Sequence, residues 1–444
     1  MKRKMMAVIL AASLALSLTA CGGSGQKPAA EGENTENTSG GKSEVNLRFS
    51  WWGGDDRHEK TLQVIDHYET KHPGVTIAGE YGGFDGYLEK LTTQLAANTA
   101  PDIIQIDYAY LEELWKTDDF VDFTKTDAVD LSDISQALLD GVTSTDGRLI
   151  GIPSGINFTV SFANKAAADQ YGVDLTKQFT WERVLEEGKR VHEQDENAYL
   201  FYSNAINRYI FEPYLFNLTG KKLVEDDYSL GFDRDSLIQT YEYVMELYEN
   251  GVTQPYDDVV GIKSTVENPL WLNNKIVFAP HFSSEYDPMK ASLKEGDLVS
   301  LVPMGDSEAA NTGIVMRPTN MIAVNAKSPH LEEALDFVNY FFNDPEAQRI
   351  SGMTRSVPAT GSALDIVSEE GLLDDGLKEV LKWCEDHKGG QGQNVISTNT
   401  EIETIENDVL NALYYGELTP ETAADEFIKL MTKKVAELKE SYQQ

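Results

Sequence analysis

"VNLRFSWWGGDDRHEKTLQVIDHYETKHPG", residues 45–74, holds the pattern that decides the fold. It opens on a run that reads as a buried strand, "VNLRFSW". Leu62, Ile65 and Tyr68 then recur three apart on one helical face, until Pro73 and Gly74 stop the helix. The same order follows downstream. "VTIAGEY" (75–81) alternates as a strand, and Leu88, Leu91 and Leu95 share a helical face. "PDIIQID" (101–107) is a strand again, and "YLEELWK" (110–116) starts the next helix. Strands alternating with helices over short links predict an α/β fold, with mostly parallel sheets flanked by helices. In such sheets ligands bind beyond the carboxyl ends of the strands. Trp51, Tyr81 and Asp107 stand at three of those ends. "FSWWGGDDRH" (49–58) therefore reads as the first strand-to-helix loop, with glycines that let a ligand approach the backbone.

Later segments keep to this grammar. "TWERVLEEGKRV" (180–191) reads as a helix capped by Thr180. Leu237, Tyr241, Val244 and Tyr248 follow helical spacing, with Gly251 as the stop. "TNMIAVNA" (319–326) is a strand. Leu331, Ala334, Leu335 and Val338 align on a helix, and Asp344 with Pro345 restarts another. No internal repeat is visible.

The N-terminus carries an address. Lys2, Arg3 and Lys4 precede the apolar run 5–20, which is too short and wrongly flanked for a membrane span. It ends in "LTAC" (18–21), which resembles a bacterial lipobox. The resemblance implies a signal peptide over 1–20, cleavage after Ala20 and a lipid on Cys21. Residues 21–43 are nearly devoid of apolar side chains and read as a disordered tether. "GKS" (41–43) is no phosphate loop, because Glu36 stands where such a loop needs glycine.

The chain has 444 residues and 41% hydrophobic content, enough for two sizeable cores. A net charge of −36 disfavours nucleic acid and anionic lipid as partners. With Cys21 acylated, Cys384 has no partner for a disulfide. Catalytic constellations are missing from the sequence. No histidine lies in H-E-x-x-H, no G-x-S-x-G elbow occurs, and no spacing suggests zinc or calcium. No catalytic residue, metal or cofactor is expected. Among so many carboxylates, a glycosidase pair is not ruled out by sequence.

Sugar binding calls for other parts: aromatic faces for the apolar C–H sides of pyranose rings, and polar fans for hydroxyls that both donate and accept. The predicted strand ends offer them in Trp51, Trp52, Asp55 and Arg57, in Tyr81 and Phe84, and in Asp107, Tyr108 and Tyr110. Trp51 and Trp52 face opposite sides of their strand, so one of the two is expected to finish the core. Arg57 has a structural alternative in a salt bridge, and Tyr108 in packing.

A family resemblance adds to this. "HYETKHPGVTI", "GYLEKLTTQLAANTAPDIIQID", "GIPSGINFTVSFANKAAADQYGV", "FTWERV", "NKIVFAP", "AVNAKSPHLEEALDFVNYFFNDPEAQ" and "RSVPAT" come in one order. That ordered series resembles the sugar-type extracellular solute-binding proteins of bacterial ATP-driven importers, the maltodextrin-binding proteins among them, from about residue 45 onward. The resemblance implies two α/β lobes that close like a jaw on crossing segments. It divides the chain into lobe 1 at 44–155 and 318–367, and lobe 2 at 156–317 and 368–444. It also implies a ligand contact at Asp55, after the same glycine as in the relatives, and others at Asn157, at Glu212 and Tyr214 of "FEPYLF", and at His281 or Phe282. The relatives' late tryptophan has no counterpart near Glu403, and Trp383 is the candidate substitute. The expected protein is a monomeric receptor, lipid-anchored on the outer face of a Gram-positive-type cell. It delivers a sugar or short oligosaccharide to permease subunits and their ATPase. The alternatives are a secreted, lipid-anchored glycoside-processing enzyme and a receptor for a non-sugar solute such as a polyamine.

Overall fold

The computed structural model describes residues 44–442, except 145, 263, 388–393 and 395. The leader, Cys21 and the tether lie outside the described residues. Strand β1 (Val45–Trp52) pairs in parallel with β2 (Val75–Gly82), from Val45↔Val75 to Trp52↔Gly82, and with β3 (Ile103–Asp107). The helix Asp55–Lys71 links the first two and buries Thr61, Val64, Ile65 and Tyr68. This helix begins earlier than the apolar spacing suggested. Gly54 is its N-cap, and Asp55 and Asp56 occupy its first turn. Negative side chains there meet the positive end of the helix dipole, worth about 0.3–1 kcal/mol each. The expected loop thus shrinks to a two-glycine link.

The remaining strands are β4 (Ile152–Asn164), β5 (Phe201–Tyr202), β6 (Thr253–Gln254), β7 (Phe278–Phe282), β8 (Leu298–Leu301) and β9 (Met316–Val324). The main sheet runs β2-β1-β3-β9-β4-β7, with β8 also on β4, while β5 and β6 pair separately. The β2-β1-β3 block is parallel. β9 lies antiparallel to β3 and β4, and β4 is antiparallel to β7 and β8. The class is α/β, a sheet flanked by helices.

β4 and β9 pair from Ile152↔Ile322 to Phe158↔Met316, with the register broken on both sides of Gly155. A Cβ on Gly155 would stand 1.6 Å from the carbonyl oxygen of Arg355, so only glycine lets the two backbones pass. Beside it, Ile156 N donates to Val357 O at 2.8 Å, and Thr319 Oγ1 donates to the carbonyls of Gly155 and Arg355. Segments near Gly155, Thr319 and Val357 therefore meet at one irregular point.

Apolar packing forms two clusters. One gathers Phe49, Trp51, Tyr68, Phe158 and Phe337; the other gathers Val184, Phe211, Leu237, Tyr241 and Phe427. The first also takes in Trp271, Met289, Leu377 and Leu381. It crosses the borders the family resemblance places at 155/156 and 367/368, because β4 and β7 carry the sheet onward. Capping follows the sequence: Thr180 Oγ1 accepts from Arg183 N, and Asp344 accepts from Glu346 N and Ala347 N. Such caps stabilise by about 1 kcal/mol each. Burial pushes the Cys384 thiol up to about 12, so it stays protonated and packs as a small apolar group. No helix among the described residues is long and apolar enough to cross a membrane.

Candidate functional site

At the end of β1 the side chains are occupied with one another. Trp51 is fully buried; its ring lies 4.9 Å from Phe49 and stacks on Tyr81 at 4.9 Å. Its indole N–H donates to His58 Nδ1 at 3.1 Å. Trp51 is thus the tryptophan that finishes the core. Trp52 faces the other way, edge-on to Phe84 at 5.4 Å and Tyr87 at 5.0 Å, and is also buried. The hollow it shares with Phe84, Asp107 and Tyr110 measures about 10 Å³, too small for a sugar ring. Arg57 Nε donates to Thr354 O at 2.8 Å and Nη1 to Trp52 O at 2.9 Å. It straps the strand end to the 354 loop, and burial lowers its pKa. A Cβ on Gly53 would meet the Arg57 side chain at 2.6 Å, so this glycine makes room for Arg57 rather than for a ligand. Asp55 is exposed in the first turn of its helix. Tyr81 and Phe84 remain exposed at the rim, and Phe84 stacks on Tyr110 at 6.4 Å.

At the end of β3, Asp107 caps the following turn by accepting from Ala109 N at 2.8 Å, and burial raises its pKa. The Tyr108 ring has the Arg317 guanidinium 5.9 Å from its centroid. Arg317 comes from β9 and also lies 5.0 Å from the Phe282 ring. Phe282 in turn lies 5.9 Å from Tyr209, with Arg208 at 6.0 Å. Asn157 sits at the irregular crossing. Its Oδ1 accepts from Ser284 N at 3.1 Å, Ser283 Oγ at 3.2 Å and Ser356 Oγ at 3.0 Å. That oxygen fastens three segments together.

A roomy site opens beside Arg208. Asn207–Phe211 form one π-helical turn ahead of the helix Glu212–Thr219. This wider turn places Asn207, Arg208 and Tyr209 along a cavity of about 530 Å³, within the usual range for small-ligand pockets of roughly 300–1,000 Å³. The facing wall comes from the helix Thr400–Tyr414, through Glu403, Asn407, Asn411 and Tyr414; Met245, Tyr248, Tyr256 and His281 complete it. Asn207 Nδ2 donates to Asn407 Oδ1 at 3.0 Å, while the buried Asn207 Oδ1 has no donor among the described residues. Burial opposes the charge on Arg208, but Glu403 at 3.0 Å, and Glu212 after it, hold its pKa above the usual value. Arg317 moves the other way, lowered by burial and then by Arg208. His281 Nε2 lies 2.6 Å from Thr265 Oγ1, and burial pushes its pKa down to about 4, so it is neutral near pH 7. Behind the wall, Glu212 and Glu406 are buried, and burial, then the Glu212 charge, holds the Glu406 carboxyl well above the usual carboxylate range.

Of the expected contacts, His281 lines this cavity; Tyr108 is linked toward it through Arg317 and Phe282, Asn157 is tied into the crossing, and Asp107 lines the small hollow beside Trp52. The structure places Trp51, Trp52 and Arg57 in the scaffold and Asp55 in solvent. Glu212 lies under the cavity. Tyr214 packs against the second core, stacked on Tyr243 at 4.3 Å and edge-on to Trp181, and the tyrosine on the cavity from this stretch is Tyr209. Trp383 stacks on His387 at 4.3 Å and packs against the first core. Sequence reasoning missed Arg208, Tyr209, Arg317 and the wall of the helix Thr400–Tyr414. The spacing of Asn407, Leu410, Asn411 and Tyr414 at i, i+3, i+4 and i+7 was the available signal for that wall. Glu403 occupies the place where the family resemblance looked for tryptophan. A second cavity, about 280 Å³, lies at the opposite end of the strands, by the starts of β1 and β3 and the end of β9. Its polar groups are committed: Asp102 accepts from Arg48 N and Ser328 Oγ, and Lys327 pairs with Asp119 at 2.7 Å.

Comparison with known proteins bears on the same chain. Residues 63–377 match the profile of the family described as bacterial extracellular solute-binding protein. A putative binding protein of Brucella abortus is 23% identical over 297 residues, covering 63% of this chain and 67% of that one. Among solved structures, a periplasmic oligogalacturonide-binding protein from Yersinia enterocolitica is similar at a TM-score of 0.78 and 22% identity, over 90% of this chain and 100% of that one. A substrate-binding protein from Listeria monocytogenes in complex with cycloalternan is similar at 0.65 and 17%, over 89% and 100%. A designed cysteine esterase is similar at 0.81 and 23%, over 90% and 100%. At these identities the likeness is one of fold.

Proposed function

We propose that this chain, which belongs to the bacterial extracellular solute-binding proteins, captures a saccharide in the cavity beside Asn207–Phe211 and passes it unaltered to an ATP-driven import permease. The observation that carries this reading is the lining. Tyr209, Tyr248 and Tyr414 supply faces for pyranose C–H groups, and Asn207, Asn407 and Asn411 supply amides that donate and accept at once. Two lobes hinged at the crossing of β4, β9 and the 355–357 segment would give the cavity its opening and closing. The register break at Gly155 supports a bend there. The lipid on Cys21 would hold the receptor at the outer face of the membrane.

A polyamine fits poorly, because the carboxylate among the described lining residues, Glu403, is already paired with Arg208. Glycoside hydrolysis needs two carboxyl groups facing the scissile bond. Here Glu403 is paired with Arg208, and Glu212 and Glu406 are buried behind the wall. The test is a calorimetric screen of mono- and oligosaccharides against the purified protein, with polyamines alongside. Binding of a saccharide that is recovered chemically intact supports the reading. Binding of polyamines alone, or release of hydrolysed sugar, overturns it.

A further inference from the structure

On the reading that the cavity takes a saccharide, we propose that the saccharide is acidic and that Arg317 receives its carboxylate, as in a uronate-containing oligosaccharide. Two guanidinium groups contrast here: Arg208 lines the cavity, and Arg317 stands across the Phe282 ring from it. Arg208 and Arg317 both flank the Phe282 ring, at 6.0 and 5.0 Å. Glu403 answers the charge of Arg208 at 3.0 Å. Among the described residues, no carboxylate lies within 4 Å of the Arg317 guanidinium, and it donates no hydrogen bond. Its neighbours are two aromatic rings, Tyr108 and Phe282. Asp107 is near enough for its charge to act on Arg317, yet the two form no ion pair within 4 Å, and Asp107 Oδ1 accepts from Ala109 N at 2.8 Å.

Scarcity of acids does not explain the gap. The chain has 73 acidic residues for 37 basic ones, so a half-buried arginine without a partner marks a position kept clear of carboxylates. Ring faces on either side hold the guanidinium plane and leave its donors for a ligand. A planar fork of donors matches a carboxylate through two parallel bonds. A phosphate site would instead gather backbone N–H groups or several cations around one centre.

The experiment is titration calorimetry on matched pairs: oligomers of galacturonate, glucuronate and mannuronate, each beside its carboxyl-reduced neutral counterpart, with a sugar phosphate as a further arm. In at least one pair the acidic member should bind about ten- to a hundredfold more tightly, the range for hydrogen bonds to a charged group. That preference should collapse in Arg317→Gln, survive in part in Arg317→Lys, and persist in Lys327→Gln, which removes a positive charge beyond the other end of β9. Melting curves accompany each variant; if Arg317→Gln does not fold, the partial loss in Arg317→Lys decides. If neutral members bind as tightly as acidic ones, the saccharide reading stands and the acidic one falls. If no member of any pair binds, both fall. A sugar phosphate bound more tightly than every uronate would overturn the carboxylate assignment.

Discussion

At the end of β1, Trp51, His58 and Arg57 satisfy one another and the neighbouring backbone. In the π-helical turn, Asn207, Arg208 and Tyr209 line a cavity of about 530 Å³ instead. Both stretches are rich in aromatic and polar residues, and either would read as a sugar site from composition. The difference lies in where the hydrogen bonds end. A tryptophan whose N–H is taken by a histidine seven residues on has nothing to offer a ligand. Side chains that border an open cavity do. The first region is a strut and the second a receptacle, and variants can break or sharpen that contrast.

The largest effect belongs to the strut. Trp51→Ala should cost about 3–5 kcal/mol of stability, the range for a large aromatic removed from a core. Urea denaturation measures it; a loss below about 1 kcal/mol would mean Trp51 is not part of the packing.

Next comes pH, through His281 on the receptacle wall. Its folded pKa, about 4, lies below the ordinary 6.5. As pH falls, the unfolded chain takes up the proton first. Stability from this group is therefore fully present above pH 6.5 and lost between 6.5 and 4, roughly 3 kcal/mol at 1.36 kcal/mol per pH unit. His281→Gln should flatten urea midpoints across that window, and an unchanged slope would assign it to other groups.

Glu406 works in the opposite sense. Its folded pKa is raised above 4.5, so the unfolded chain releases its proton sooner and stability falls as pH rises past that value. Glu406→Gln should gain on wild type between pH 5 and pH 8. A variant that loses ground over the same range would show the carboxylate to be ionised and paired.

The smallest effect is expected at Asp55. Asp55→Ala removes one charge from the start of a helix and should cost less than about 1 kcal/mol, with saccharide affinity unmoved. A tenfold loss of affinity would return the β1 end to the binding site.

Much of the fold was legible because periodicity reports burial. The β1–helix–β2 order, the Thr180 and Asp344 caps and the stop before Gly251 follow from residue type and spacing. The site was less so. Asp107 and Tyr108 were named because they stand at a strand end, where topology concentrates ligands, and His281 because the family resemblance implied it. Tyr209 was missed for a geometric reason: it lies in a π-helical turn, whose wider spacing departs from the 3.6-residue period that sequence reading uses. No residue type in "NRYIF" announces that turn. Arg317 was missed because its meaning lies in the carboxylate it lacks, and sequence does not display unmade contacts.

The most direct test is a titration of the best-binding saccharide from the screen into wild type and Tyr209→Ala. Losing one stacked ring and its contact area should weaken binding by about tenfold or more, with the melting temperature close to wild type and the bound sugar recovered unchanged. Equal affinity in the two proteins would contradict the assignment of the cavity beside Asn207–Phe211 as the binding site.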